Sequence, residues 1–388
     1  MVTGGGSGGH ITPILAVAHE LKQLQPGVEI IYVGERGDKL SDVPAADPNI
    51  DAVHTVWAGK LRRYSDEDWK QWLNVKTQSL NLRDASRLAR GVGQSYRLIK
   101  QLQPDVIFTR GGFVSVPVAI GGYLNHVPYI THDSDSVPSL ANRLIAPRAA
   151  MHAVALPAKL YPYPSDKTVT VGVPVSKAYL PVTPERRRLY RKELGLADYT
   201  QIVFLTGGGN GSRILNEGMV QNVRYLLGAL PDLAIIHVAG RSLEAETNRA
   251  YDALNLGAAR QRVQVHGFIS GMVRYSGAAD VVITRGGATT LAEYAIQGVS
   301  CLIVPSKQLG WNIKNAEILA KQGAAVVLTE DQMEQPERLG RTLGDLLSND
   351  DKRAHLAQTL SGYAHPQAAA ELAALVLKVA EKAQHVRA

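Results

Sequence analysis

The chain has 388 residues, 45% of them hydrophobic and 20% charged, which suits two or three globular domains and excludes disorder, collagen and coiled coil as the main theme. A single cysteine, Cys301, in the apolar run 300–305, excludes a disulfide framework or a cysteine zinc cluster and reads as a small buried core residue. The formal charge of +7 points to an anionic partner, whether nucleic acid, anionic lipid or a phosphorylated ligand.

The N-terminal residues carry neither a basic nor an apolar leader pattern, and no apolar run is long enough to span a bilayer, so the chain reads as cytoplasmic. Short Val/Ile-rich runs at 28–34, 105–109, 128–132 and 151–155 predict buried strands. Segments 13–23 and 86–102 between them have helical spacing. A second strand series follows at 202–206, 233–238, 263–266, 280–284, 301–305 and 324–328. Such alternation predicts an α/β chain of two doubly wound, Rossmann-like domains with a ligand cleft between the carboxyl ends of their sheets. The expected boundaries are 1–160 for the first domain, a proline-rich hinge at 161–176, and 177–365 for the second domain. Residues 366–388, rich in Ala, Leu, Lys and Glu, predict a terminal helix that crosses back to the first domain.

Three glycine loops carry the chemistry. Gly4-Gly5-Gly6-Ser7-Gly8-Gly9-His10 precedes a helix expected to open at Pro13. Glycines there let the backbone approach a diphosphate, and a helix N-terminus offers N–H groups to it. Gly4, Gly6 and Gly9, with Glu35 after the next strand, also match a dinucleotide fingerprint, so a nicotinamide-dependent oxidoreductase is one alternative. No G-K-[ST] follows, which excludes a P-loop. Gly207-Gly208-Gly209-Asn210-Gly211-Ser212 repeats the device in the second domain. Two such loops suit an enzyme whose two substrates each carry a diphosphate. The third loop, Arg285-Gly286-Gly287-Ala288-Thr289-Thr290-Leu291-Ala292-Glu293, leaves two readings open. Thr290 and Glu293 have capping-box spacing, or Glu293 in a first helical turn accepts hydrogen bonds from a ribose diol.

Several segments resemble one family. Gly5-Gly6-Ser7-Gly8-Gly9-His10-Ile11-Thr12-Pro13 is similar to the G-G-[TS]-G-G-H-x-x-P opening of the MurG family. Ala58-Gly59-Lys60-Leu61-Arg62-Arg63-Tyr64, Gly111-Gly112-Phe113-Val114-Ser115-Val116-Pro117, Ala141-Asn142-Arg143-Leu144 and the 285–293 loop resemble its later motifs in the same order. The likeness runs to about residue 330. It implies a GT-B fold and an inverting transfer of GlcNAc from UDP-GlcNAc to the muramyl 4-hydroxyl of lipid I, giving lipid II. On that resemblance the first domain holds the lipid diphosphate and the second holds UDP-GlcNAc. His10 is the general base or acceptor-aligning residue, since imidazole takes a hydroxyl proton near pH 7. Ser7, Gly8 and Gly9 cradle phosphate. Ile269 meets uracil through its backbone, Ala288, Thr289, Thr290, Leu291 and Ala292 present N–H groups, and Glu293 takes the ribose hydroxyls. No metal or other cofactor is implied.

Departures from the family cluster at the donor sugar and phosphate. Gly209 and Asn210 stand where the family has Ser and Gln, Asp135 where it has Asn, and Ser176, followed by Lys177, where it has Arg. Asn312 stands at a Gln position, beside Trp311. These departures motivate two further alternatives, a GT-B glycosyltransferase or sugar-nucleotide epimerase with another donor or acceptor, and a non-catalytic membrane module. Asp133-Ser134-Asp135 also has the D-x-D pattern that holds a magnesium diphosphate elsewhere.

Residues 57–100 hold ten Lys/Arg against four Asp/Glu, and three of the four tryptophans. Trp69, Trp72 and Leu73, with Arg83 and Arg87, form an expected membrane patch for an anionic surface. No nucleic-acid motif accompanies them. The family resemblance implies peripheral attachment to the cytoplasmic face of the cell membrane, where lipid I resides.

Overall fold

The computed structural model describes residues 1–5, 8–38, 40–59, 75–335 and 337–387, and for residues 8–10, 75–82, 386 and 387 it describes the backbone alone. The chain divides into two units, Met1–Ser176 with His365–Ala388, and Lys177–Ala364.

The first unit is built on seven parallel strands: β1 (Val2–Thr3), β2 (Ile31–Glu35), β3 (Ala52–Val56), β4 (Ile107–Thr109), β5 (Tyr129–Asp133), β6 (Met151–Val154) and β7 (Thr168–Thr170). Their order across the sheet is β3-β2-β1-β4-β5-β6-β7. The second unit has β8 (Gln201–Thr206), β9 (Leu233–Val238), β10 (Val263–His266), β11 (Val281–Thr284), β12 (Ser300–Ile303) and β13 (Val326–Val327), ordered β10-β9-β8-β11-β12-β13. Both sheets therefore reverse winding direction at one point, between β1 and β4 and between β8 and β11. Loops that leave the carboxyl ends of these central strands are where doubly wound sheets bind ligands.

The strand cores follow from composition. β8, β9, β11 and β12 are continuous apolar runs, because helices cover both faces of the sheet. Cys301 is fully buried among them. Three strands escape the periodicity reading. β1 has only two residues, β3 interleaves His54 and Thr55 with its valines, and β7 forms a short sheet edge. β7 lies within residues 161–176, the expected hinge, and that segment belongs to the first unit up to Ser176. Tyr161 and Tyr163 fasten it there by hydrogen bonds to the Asp135 carbonyl (3.0 Å) and the Asp133 carboxylate (2.7 Å).

The helix expected from Pro13 opens five residues earlier and runs Gly8–Leu24, with Pro13 inside it. Its buried face, Ile14, Val17, Ala18 and Leu21, packs on Leu372, Ala373, Val376 and Val379 of the helix Ala368–Arg387. Each Ile, Val and Leu among them contributes about 1.5–3 kcal/mol through burial. The helix Val75–Leu102 presses on the segment after β3 at two glycines. A Cβ on Gly59 would sit 2.1 Å from the Asp84 carbonyl oxygen, and one on Gly91 would sit 1.9 Å from that of Trp57.

Candidate active site

At the switch point of the second unit, β8 ends at Thr206 and the chain turns through Gly207–Gly211 into the helix Arg213–Ala229. Gly208 and Gly211 have φ of +83° and +73°, which favours glycine. A Cβ on Gly211 would lie 2.0 Å from the Ala239 carbonyl oxygen. Ser212 caps the helix by accepting from the Leu215 N–H. Gly209 is exposed, and a side chain there would meet open space.

β11 ends at Thr284, and the neighbouring loop leads into the helix Ala288–Gln297. The N-cap of that helix is Gly287, and no side chain caps its first turn. The capping-box alternative for Thr290 and Glu293 therefore falls, since Thr290 lies inside the helix. Glu293 also lies beyond the first turn rather than in it. A glycine N-cap leaves the helix end open to an anionic ligand.

Arg285 braces the two loops. Its guanidinium pairs with buried Glu330 at 2.7 Å and donates to the Val304 carbonyl (3.0 Å) and to Ser212 Oγ (2.5 Å). Glu293 is half-buried, and burial pushes its carboxyl up to about 7. The Tyr179 hydroxyl beside it opposes that rise.

The helix Gly310–Lys321 meets the same loop. A Cβ on Gly286 would lie 2.3 Å from the Asn312 carbonyl oxygen, and Asn315 Nδ2 donates to the Gly286 carbonyl at 3.0 Å. Asn312 is buried, and its Oδ1 has no hydrogen-bond partner. After β10, Ile269 is buried in the core, whereas its neighbour Phe268 is 55% exposed with the Arg241 guanidinium 4.3 Å above its ring. Phe268, Asn315 and Tyr179 were absent from the sequence-derived set. The legible signals among them were an aromatic residue beside Ile269 and Asn315 three residues after Asn312.

In the first unit, Gly4 and Gly5 follow β1, and Tyr32 donates to the Gly4 carbonyl. Ser7 lies outside the described residues. Gly8, Gly9 and His10 form the first turn of the helix Gly8–Leu24, with the His10 side chain outside the described set. β4 ends in Thr109-Arg110-Gly111-Gly112, the same four residue types that end β11, with both glycines at positive φ. Buried Arg110 donates to His132 Nδ1 and to Ser134 Oγ. With Nδ1 accepting, His132 Nε2 donates to the Gly172 carbonyl at 2.8 Å. Burial, and then the Arg110 charge, hold this imidazole well below its ordinary pKa, so it is neutral.

Both oxygens of Asp133 accept bonds within the protein, from the Tyr163 hydroxyl and the Ser139 N–H. Burial raises its pKa against those bonds. Among the described residues, no group of three or more His, Cys, Asp or Glu is placed to hold a metal ion. Gly8, Gly9, Asp135 and Ser176 belong to the first unit, and the remaining described donor residues, from Gly209 to Asn312, to the second.

Trp69, Trp72 and Leu73 lie outside the described residues. Arg83 and Arg87 sit on the helix Val75–Leu102, where Arg87 lies 5.3 Å from the Trp57 ring centroid. Arg83, Arg87, Arg90 and Arg97 fall on one face by helical spacing. No helix among the described residues is long and apolar enough to cross a membrane.

Comparison with known proteins agrees with this architecture. The models of the Glycosyltransferase family 28 N-terminal and C-terminal domains match residues 1–154 and 202–372. A UDP-N-acetylglucosamine--N-acetylmuramyl-(pentapeptide) pyrophosphoryl-undecaprenol N-acetylglucosamine transferase of Moorella thermoacetica is 30% identical over 98% of this chain and 99% of its own. A protein of the same name from Natranaerobius thermophilus is also 30% identical, over 96% and 97%. The crystal structure of Acinetobacter baumannii MurG superposes with a TM-score of 0.71 at 24% identity, covering 97% of this chain and 98% of that one, which shows the shared GT-B fold. With both family 28 domains present and near-complete matches to its members, the chain belongs to the MurG family of glycosyltransferases.

Proposed function

We propose that this chain transfers GlcNAc from UDP-GlcNAc to the muramyl 4-hydroxyl of lipid I, with inversion at the sugar, to give lipid II. The observation that carries the donor half is the helix Ala288–Gln297, which opens on glycine with no side-chain cap and carries a half-buried carboxylate one turn further in. In this reading the N–H groups of residues 288–292 receive the diphosphate, and Glu293 accepts from the ribose diol. Ile269 meets uracil through its backbone, and Gly209 leaves room beside the phosphates. The unpartnered Asn312 Oδ1 accepts from a sugar hydroxyl, which would satisfy a buried acceptor. Asp135 and Ser176, at family positions that meet sugar and phosphate, belong to the same donor set.

The acceptor 4-hydroxyl attacks C1 of GlcNAc as the bond from C1 to the diphosphate oxygen breaks. His10 takes the hydroxyl proton, and UDP leaves with the bond's electron pair. Preorganised N–H groups and the helix dipole stabilise the charge that develops on the leaving diphosphate. Ser7, Gly8 and Gly9 hold phosphate beside His10. The first unit attaches peripherally to the anionic cytoplasmic face of the membrane through Trp69, Trp72 and Leu73 with Arg83 and Arg87.

The test is UDP release from UDP-GlcNAc with and without a soluble lipid I analogue. Acceptor-dependent release is expected. Equal release with and without acceptor, or faster turnover of another UDP-sugar, overturns the reading.

A further inference from the structure

The segment that opens the second unit does more than join elements. After Lys177 it passes alongside the helix Ala288–Gln297 and is tied to it at Val182, whose N–H donates to the Gln297 carbonyl at 2.9 Å. Val182 also packs on the cluster that contains Leu291 and Tyr294 of that helix. Thr183 then caps the next helix, Pro184–Glu193, by accepting from the Arg186 N–H. The segment is thus fixed at its far end by a backbone bond and a helix cap. Between Ser176 and these anchors stands Tyr179, half-buried, with its hydroxyl beside the Glu293 carboxylate.

We infer that Tyr179 is a positioning residue that aims the Glu293 carboxylate at the ribose of the nucleotide, and so contributes to the choice of ribose over deoxyribose. The inference rests on the reading of Glu293 as the ribose acceptor. A glutamate side chain has three rotatable bonds, and an unrestrained carboxylate loses that freedom on binding a diol. An ionised carboxylate has about four lone-pair sites, so one bond from a phenol leaves room for both ribose hydroxyls. A donor that is already in place settles which sites remain and where they point. Phenylalanine at this position would keep the ring packing and remove only the hydroxyl.

The experiment measures binding of UDP and 2′-deoxy-UDP to the full chain by calorimetry, for the wild type, Tyr179→Phe, Glu293→Ala and the double variant. The wild type is expected to prefer UDP, and Glu293→Ala to lose that preference. Tyr179→Phe should reduce the preference about tenfold, the scale of one charge-assisted hydrogen bond. The double variant should match Glu293→Ala, because the phenol acts only through the carboxylate. A Tyr179→Phe variant that keeps the full preference while Glu293→Ala loses it overturns the role of Tyr179 alone. Equal weakening of both ligands in Tyr179→Phe also overturns it, since that describes general packing. No preference in the wild type removes the ribose reading of Glu293 and this inference together.

Discussion

Arg285 and Glu330 form an ion pair at 2.7 Å, with the Glu330 side chain only 3% exposed, and the same guanidinium reaches Ser212 at the cap of the neighbouring glycine loop. One side chain therefore spans both loops of the switch point. Arg285→Ala strands a buried carboxylate, and should cost about 3–5 kcal/mol in chemical denaturation. Arg285→Lys keeps the charge but loses the fork, so it should recover part of that stability and still weaken UDP-GlcNAc binding.

His10→Ala is expected to lower acceptor-dependent UDP release by roughly 10²–10⁴, the range for loss of a general base. UDP binding, assigned to the second unit, should stay within about twofold. Steady-state assays and a nucleotide titration separate the two. Near-normal release in this variant would place the base elsewhere.

Glu293 sets a pH dependence with a definite sign. Ribose hydroxyls donate to the ionised carboxylate, and the group titrates at about 7. UDP-GlcNAc affinity should therefore rise about tenfold from pH 6 to pH 8, as the ionised fraction does. The diphosphate diester of the ligand does not titrate in that window. For folding the sign is opposite. The folded state keeps its proton from the ordinary 4.5 up to about 7, so this group's contribution to stability falls as pH rises across that window. Glu293→Gln should flatten both profiles, and a binding curve that keeps its slope in the variant would assign the titration to another group.

Asn312→Ala should raise KM for UDP-GlcNAc about tenfold, the scale of one buried hydrogen bond to a sugar hydroxyl. Its thermal stability should change little for loss of the Oδ1 atom, because that atom has no protein partner to lose. A large drop in Tm with unchanged KM would mark Asn312 as structural.

The membrane proposal predicts a charge effect. Arg83→Glu, Arg90→Glu and Arg97→Glu together should weaken sedimentation with anionic vesicles by at least about a hundredfold, taking about 1 kcal/mol per basic side chain. Transfer to a water-soluble acceptor should stay near normal. Equal binding by wild type and variant would remove this face from the contact.

The sequence made the switch-point loops legible because glycine is required where φ turns positive at Gly208, Gly211, Gly111 and Gly112, and those residues are visible as letters. The start of the helix at Gly8 was less legible, since Pro13 is well suited to a first turn and drew the boundary toward itself. Thr290 and Glu293 had the right spacing for a capping box, but spacing does not say which residue is the N-cap, and the backbone enters the helix at Gly287. The Arg110–His132 and Tyr179–Glu293 contacts were not legible. The first depends on β4 and β5 being neighbours, and the second on a connecting segment lying along a distant helix. β3 and β7 were hidden because half-exposed strands with polar residues lack a continuous apolar run.

The helix Ala368–Arg387 shares its core with the helix Gly8–Leu24, so the first unit is assembled from two segments, 1–176 and 365–388, that flank the second unit in sequence. During synthesis, Ile14, Val17 and Leu21 emerge long before Leu372, Val376 and Val379 exist to cover them. The second unit is continuous in sequence and has its full core as soon as its own residues leave the ribosome. Completion therefore runs against the order of translation: the part made first is closed last, and a chain interrupted before Ala368 carries an uncovered apolar stripe that marks it for chaperones or proteolysis.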